Sequence, residues 1–125
     1  MKKILVTRRL LRSCEDKAKE IFDANLNLND ELYSQKKLIE MSEGCDGILS
    51  ALTDKLDAET INQLPDSVKI LSNFAVGFGN IDLEALSSHS LIKRLVIKTF
   101  FINPILKFQV LVRLCTSLKL QLYVI

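Results

Sequence analysis

Strand-like and helix-like stretches alternate at a steady spacing through residues 1–90, and this alternation limits the fold more than any other feature of the chain. Ile4 to Thr7 is a short, apolar, β-branched run. Ser13 offers an N-cap with Asp16 three places on, opening a helix whose Cys14, Ala18, Ile21 and Phe22 share one face. Leu26 and Leu28, alternating with Asn25, Asn27 and Asn29, read as a weaker second strand. Ser34 caps a helix running through Leu38 to Met41, and Gly44 stands where a C-terminal cap belongs. Gly47 to Ala51 is the third strand. Asp57 caps a short helix that turns Ala58, Ile61 and Leu64 inward; Pro65 stops it, and Val68 to Ser72 is the fourth strand. Repeated strand–helix units build a parallel sheet with helices on both faces, and such sheets bind ligands at the carboxyl ends of their strands.

After the fourth strand comes Asn73-Phe74-Ala75-Val76-Gly77-Phe78-Gly79-Asn80-Ile81-Asp82. Gly77 and Gly79 are free to take backbone angles closed to other residues, and Asp82 or Asn80 caps the helix that follows. Successive peptide N–H groups in such a loop point toward a carboxylate or phosphate. By mechanism alone the loop is equally well a tight connecting turn.

The wording of this segment closely resembles the substrate-loop signature of the D-isomer-specific 2-hydroxyacid dehydrogenases. Lys3-Ile4-Leu5-Val6-Thr7-Arg8 resembles that family's opening strand, and Gly44-Cys45-Asp46-Gly47-Ile48-Leu49 its third. Leu52-Thr53-Asp54-Lys55-Leu56-Asp57 resembles the turn between that strand and the next helix. Several motifs in order at matching spacing carry the resemblance, which spans residues 1–90 and lies closest to the glyoxylate and hydroxypyruvate reductases. It implies a flavodoxin-like α/β domain, the substrate half of a two-domain oxidoreductase that uses NAD or NADP. It further implies that the N–H groups of Val76 and Gly77 hold the carboxylate of a small 2-oxo or 2-hydroxy acid and that Leu52 walls the pocket. Without the resemblance Leu52 is an ordinary loop leucine. Phe74 and Phe78 read as core and pocket wall. Members acting on phosphoglycerate place an arginine near the Leu52 position; Ser50-Ala51-Leu52-Thr53 has none, which favours glyoxylate or hydroxypyruvate.

With 125 residues the chain holds one domain at most. Cys14, Cys45 and Cys115 lie far apart, which argues against a zinc site or a disulfide framework and suits buried or neutral thiols in a reducing cytosol. Met1-Lys2-Lys3 runs straight into a short strand, with no apolar stretch long enough for a signal peptide, so a cytoplasmic location is expected. The net charge of +2 does not suggest nucleic acid.

That net charge conceals an asymmetry. All fifteen acidic side chains fall within residues 1–84, whereas residues 85–125 carry six Lys and Arg and no acid. From Leu91 to Ile125 there is no glycine, no acid and no clean period of 3.6 or 2, so residues 91–125 read as a divergent basic apolar tail, an altered or out-of-frame end on a truncated domain. Leu95 to Leu114 has the length of a membrane span but contains Lys98, Asn103, Pro104, Lys107, Gln109 and Arg113, so no membrane partner is expected. Pro104 and the scattered charges also disfavour an amphipathic surface helix. Leu91-Ile92 and Leu95-Val96-Ile97 remain able to supply a fifth strand.

The resembling family transfers hydride with a nicotinamide cofactor on a Gly-x-Gly-x-x-Gly loop, an arginine that grips the substrate, and a histidine assisted by a glutamate. Gly77-Phe78-Gly79-Asn80-Ile81-Asp82 misses that fingerprint, because Asp82 occupies the third glycine's place. His89, the lone histidine, falls at the end of the family's surface helix. No catalytic residue, metal ligand or cofactor-binding residue is therefore assigned, and no cofactor is expected on this chain alone. The reading is an enzyme fragment without turnover of its own. In the family a returning C-terminal segment packs on this domain; without it one sheet face is expected to be poorly covered, with self-association as the outcome. The alternative is a non-catalytic interaction module whose tail docks on a partner or on itself. A receiver-like regulator is disfavoured by Thr7-Arg8-Arg9, which stands where acids would be needed.

Overall fold

The computed structural model describes residues 1–75 and 79–88, together with the backbone of strand residues 94–98 and 123–124. The elements run β1 (Lys3–Val6), α1 (Arg12–Ile21), β2 (Asp23–Leu26), α2 (Gln35–Met41), β3 (Gly47–Ala51), α3 (Ala58–Asn62), β4 (Ile70–Phe74), α4 (Leu83–Ser88), β5 (Arg94–Lys98) and β6 (Tyr123–Val124). Every pairing is parallel, and the sheet order is β2-β1-β3-β4-β5-β6. The first five strands thus follow the flavodoxin-like order.

The direction in which successive strands are added across the sheet reverses once, between β2 and β3. Right-handed crossovers then place α1 on one face of the sheet and α2, α3 and α4 on the other. The side chains follow the two-residue pleat. Leu5, Ile48 and Leu71 point into a core with Leu38, Leu56, Ile61, Leu64, Val68, Ala85 and Leu86. Ile4, Val6 and Leu49 point the opposite way, onto Ala18 and Phe22 of the α1 layer. Each fully buried leucine or isoleucine contributes about 2 kcal/mol of transfer free energy, which is what holds the layers together. On the α1 face a cavity of about 140 Å³ lies over Ile4, Phe22, Leu49 and Ile70, with Lys2 and Lys69 beside it.

The caps explain where the helices begin. Ser34 accepts the Lys37 N–H at 3.2 Å, Asp57 accepts the Thr60 N–H at 2.9 Å, and Asp82 accepts the Ala85 N–H at 2.9 Å. Of the two candidates before α4, Asp82 is therefore the cap. The C-cap of α2 is Ser42 and not Gly44, which takes φ +70° in the turn two residues later.

Several boundaries differ from the sequence reading, among them the start of β2 at Asp23 and the end of β4 at Phe74. Helix α1 starts at Arg12 with Leu11 as its N-cap and no side-chain cap, so Ser13 does not cap it. Glu15 serves that end instead: its carboxylate takes the Leu10 N–H at 3.0 Å and pairs with Arg9 at 2.8 Å. Strand β2 ends at Leu26, because the buried Asn27 amide turns back to Thr7 O and Glu31 O. Leu28, read as a strand residue, is consequently exposed. Strand β4 begins at Ile70, since Val68, although fully buried, bonds to Pro65 O in the preceding turn. Thr7 lies just past the end of β1.

Cys14 and Cys45 are buried free thiols, and burial pushes the Cys45 thiol above its usual range. His89, Cys115 and most of the 91–125 tail lie outside the described residues, apart from the two strands. Among the described residues no helix is long and apolar enough to cross a membrane.

Candidate functional site

Sheet order reverses between β1 and β3, so the crevice of an open α/β sheet falls at the carboxyl ends of these strands and their neighbour β4. Thr7 continues the ladder there, its N–H reaching Leu49 O at 3.1 Å, and its buried hydroxyl donates to the Asp54 carboxylate. Asp54 Oδ2 also accepts the Ala51 N–H at 2.7 Å, while the Asp54 N–H returns to Ala51 O at 3.0 Å. This closes a tight turn over residues 51–54 that pushes Leu52 outward, 57% exposed, while Asp54 itself is 1% exposed. Asp54 Oδ1 is buried without a hydrogen-bond partner among the described residues, and the Arg8 guanidinium nearby offsets its charge.

Asn80 ties this turn to the loop after β4. Its Nδ2 donates to Ala51 O at 3.0 Å and to Asp54 O at 2.9 Å, and its Oδ1 accepts from Asn73 Nδ2 at 2.9 Å. Asn73 is fully buried, and its Oδ1 receives the Ser50 hydroxyl at 3.1 Å. The backbone repeats the connection: Leu56 N–H bonds Asn80 O and Asp82 N–H bonds Leu56 O, both at 2.9 Å. Both flanks of residues 76–78 are therefore anchored to the strand edge.

Leu52 thus lies in the turn at the carboxyl edge, where the sequence placed it. Val76 and Gly77, the other two candidate substrate residues, lie outside the described residues, as does Phe78. Phe74 is partly buried against the α1-side core. Gly79 is not in the left-handed region, and among the described residues a Cβ placed on it would meet nothing within 4 Å.

Sequence reasoning missed the Thr7–Asp54 contact, the Asn73–Asn80 pair and an arginine at the turn. Residues 50–53 contain no arginine, yet Arg8 arrives from the end of β1 and its Nη1 donates to Thr53 Oγ1 at 2.7 Å. The same guanidinium clamps Asp30 through Nε at 2.8 Å and Nη2 at 3.1 Å. Those bonds, with the Arg9 N–H, hold the Asp30 carboxyl down at about 2. Forty-five residues separate Arg8 from Thr53, so no local spacing signalled the contact.

A dinucleotide does not fit the described residues. The glycine loop leads into α4, but the Asp82 carboxylate occupies that helix's first turn and places negative charge where a pyrophosphate would sit. Among the described residues no group of three His, Cys, Asp or Glu could hold a metal ion.

An open parallel sheet of this order, with helices on both faces, defines an α/β domain of the flavodoxin-like class. Residues 4–95 match the D-isomer specific 2-hydroxyacid dehydrogenase catalytic domain, and the chain belongs to that family. It is 30% identical over 90 residues to glycerate dehydrogenase of Hyphomicrobium methylovorum, covering 72% of this chain and 28% of that protein. Glyoxylate reductase of Korarchaeum cryptofilum is 34% identical over 82 residues, covering 66% of this chain and 24% of the reductase. A solved structure from Polaromonas, described as an NAD-binding D-isomer specific 2-hydroxyacid dehydrogenase, superposes with a TM-score of 0.67 at 25% identity, over 70% of this chain and 28% of that one. The chain therefore spans about a quarter of the length of these relatives.

Proposed function

We propose that this chain is the substrate-binding portion of an NAD(P)-dependent D-2-hydroxyacid dehydrogenase of the glyoxylate or hydroxypyruvate reductase kind. Residues 1–90 supply the partial substrate domain, and residues 91–125 are a tail that runs past the end of the family match at residue 95 and is read out of the family's frame. The N–H groups of Val76 and Gly77 hold the carboxylate of a small 2-oxo or 2-hydroxy acid, and Leu52 forms the apolar wall beside it. The observation that supports this reading is the pair of hydrogen bonds from Asn80 Nδ2 to Ala51 O and Asp54 O, which ties the residue after the glycine loop to the turn that carries Leu52. Backbone N–H donors suit a carboxylate because they bring no mobile counter-charge.

Turnover needs groups that this sequence does not supply: a dinucleotide loop, an arginine clamp and a histidine–glutamate pair. The purified chain therefore binds oxalate, a stable two-carbon analogue of glyoxylate, but does not oxidise NADH or NADPH in the presence of glyoxylate. Calorimetric oxalate binding together with an inert nicotinamide absorbance supports the reading. Steady oxidation of the cofactor overturns the inactivity, and no oxalate binding overturns the site.

A second reading, a non-catalytic module with a self-docking tail, is favoured by one observation: β5 lies within the tail and pairs with β4 along five registered residues. Hydrogen exchange separates the two. Protection of residues 95–101 equal to that of residues 68–71 favours the module, and free exchange favours the unevolved tail.

A further inference from the structure

The strand register leaves a gap on the α1 face of the sheet. Ile4, Gly47 and Ile70 stand side by side across β1, β3 and β4. Ile4 turns toward the α1 layer, and between it and Ile70 the row has no side chain, because its middle residue is glycine. A Cβ at Gly47 would stand between those neighbours, 3.7 Å from Ile4 Cγ2 and 3.7 Å from Ile70 Cβ. The missing side chain opens the floor of the cavity of about 140 Å³, whose walls are Ile4, Phe22, Leu49 and Ile70. A cavity of about 150 Å³ lined by such residues stays dry and holds a benzene ring, so a body of about six carbons fits this one.

The mouth of the cavity is cationic. Lys2, Asp46 and Lys69, each one residue ahead of its strand, line it at the amino edge of the sheet. Asp46 is engaged by the Lys3 N–H at 2.8 Å and by Lys2 Nζ at 3.3 Å. Lys69 Nζ donates to the neutral Asp66 carbonyl and, among the described residues, forms no ion pair. Two ammonium groups against one carboxylate leave net positive charge beside an apolar cavity. That charge repels the chain's own acid-free end, where residues 85–125 carry six Lys and Arg, and attracts an anion.

We infer that this cavity binds a small amphipathic carboxylate, with an apolar body of about six carbons over Gly47 and the carboxylate on Lys69. The site lies at the edge of the sheet opposite Leu52, so the inference is independent of the substrate-domain reading.

Amide shifts of the ¹⁵N-labelled chain titrated with phenylacetate, and with its neutral counterpart phenylacetamide, test this. Phenylacetate moves the Leu49 and Ile70 amides saturably and binds about threefold more tightly than phenylacetamide, the increment of one exposed charge pair. Lys69→Gln removes that preference and leaves the phenylacetamide affinity unchanged, a split that a loosened fold would not give. Gly47→Val fills the floor and abolishes binding of both compounds. The dispersed spectrum reports folding, and Gly47→Ala, whose Cβ meets no atom closer than 3.4 Å, weakens both should the valine variant fail to fold. Equal affinities for the two compounds overturn the carboxylate specificity, and binding that survives unchanged in the Gly47 variants overturns the site. Absence of any shift at Leu49 and Ile70, the result if the tail or a second copy of the chain covers the cavity, overturns it too.

Discussion

Asn73 and Asn80 are joined side chain to side chain, Nδ2 to Oδ1 at 2.9 Å, across the base of the loop that separates them. The remaining donors of Asn80 cross to Ala51 O and Asp54 O, so one amide spans β4, the loop and the turn after β3. The loop after β4 is thereby held by polar contacts at its base as well as by the packing of the core beneath it.

Replacing Asn80 by alanine removes the hydrogen bonds it makes with the Asn73 side chain, Ala51 O and Asp54 O. A loss of about 2–3 kcal/mol of stability is expected, measured by urea denaturation. Asn80→Asp loses more, because it sets an oxygen against the two carbonyls. An Asn80→Ala variant as stable as wild type removes the clamp from the account.

Gly79 offers the opposite case. Its backbone is not left-handed and among the described residues a Cβ meets open space, so Gly79→Ala restricts the unfolded chain without straining the folded one. A gain of about 0.4–1 kcal/mol follows, read as a raised melting temperature. A loss of stability would mean that residue 79 needs the freedom of glycine after all.

Acid should uncover the two carboxylates held lowest. Asp30 stands at about 2, first through its hydrogen bonds from Arg8, and Asp57 at about 2, first through the Thr60 N–H. Both folded-state values lie below the unfolded value of about 3.9, so their stabilisation is complete above that pH and is lost as pH falls through the folded value. Denaturation midpoints should therefore hold steady down to about pH 4 and then decline toward pH 2. The decline is shallower in Asp57→Asn, whose residual amide cap no longer titrates.

The tail yields a prediction outside the protein. If residues 91–125 are out of frame, the DNA beyond codon 84 translated in another frame encodes Gly-x-Gly-x-x-Gly followed by Arg, Glu and His. Absence of these motifs from every frame leaves the tail as an independent sequence.

The sheet was legible because local signals agreed with global packing: apolar runs at the strands, and side-chain caps at Ser34 and Asp57. Boundaries slipped where a long-range contact outweighed the local pattern. Val68 reads as strand by its apolar side chain but is buried in the turn ahead of β4, and Leu28 loses its strand place to the Asn27 amide that folds back on Thr7 and Glu31. The site was less legible still. Leu52 is singled out only through wording shared with a family, whereas Thr7–Asp54 and Asn80–Ala51 join residues 47 and 29 positions apart, distances over which periodicity carries no information. Asn80 was read as a possible helix cap because its residue type permits both roles, and only the fold decides between them.

The central claim is that the peptide N–H groups of Val76 and Gly77 hold a substrate carboxylate, and amide shifts of this chain, ¹⁵N-labelled at valine and glycine, test it most directly. The account predicts that oxalate moves the Val76 and Gly77 amides saturably and together, while Gly44 and Gly47, far from the carboxyl edge, stay fixed. Saturating oxalate that leaves Val76 and Gly77 in place, or that moves all four glycines alike, would contradict it.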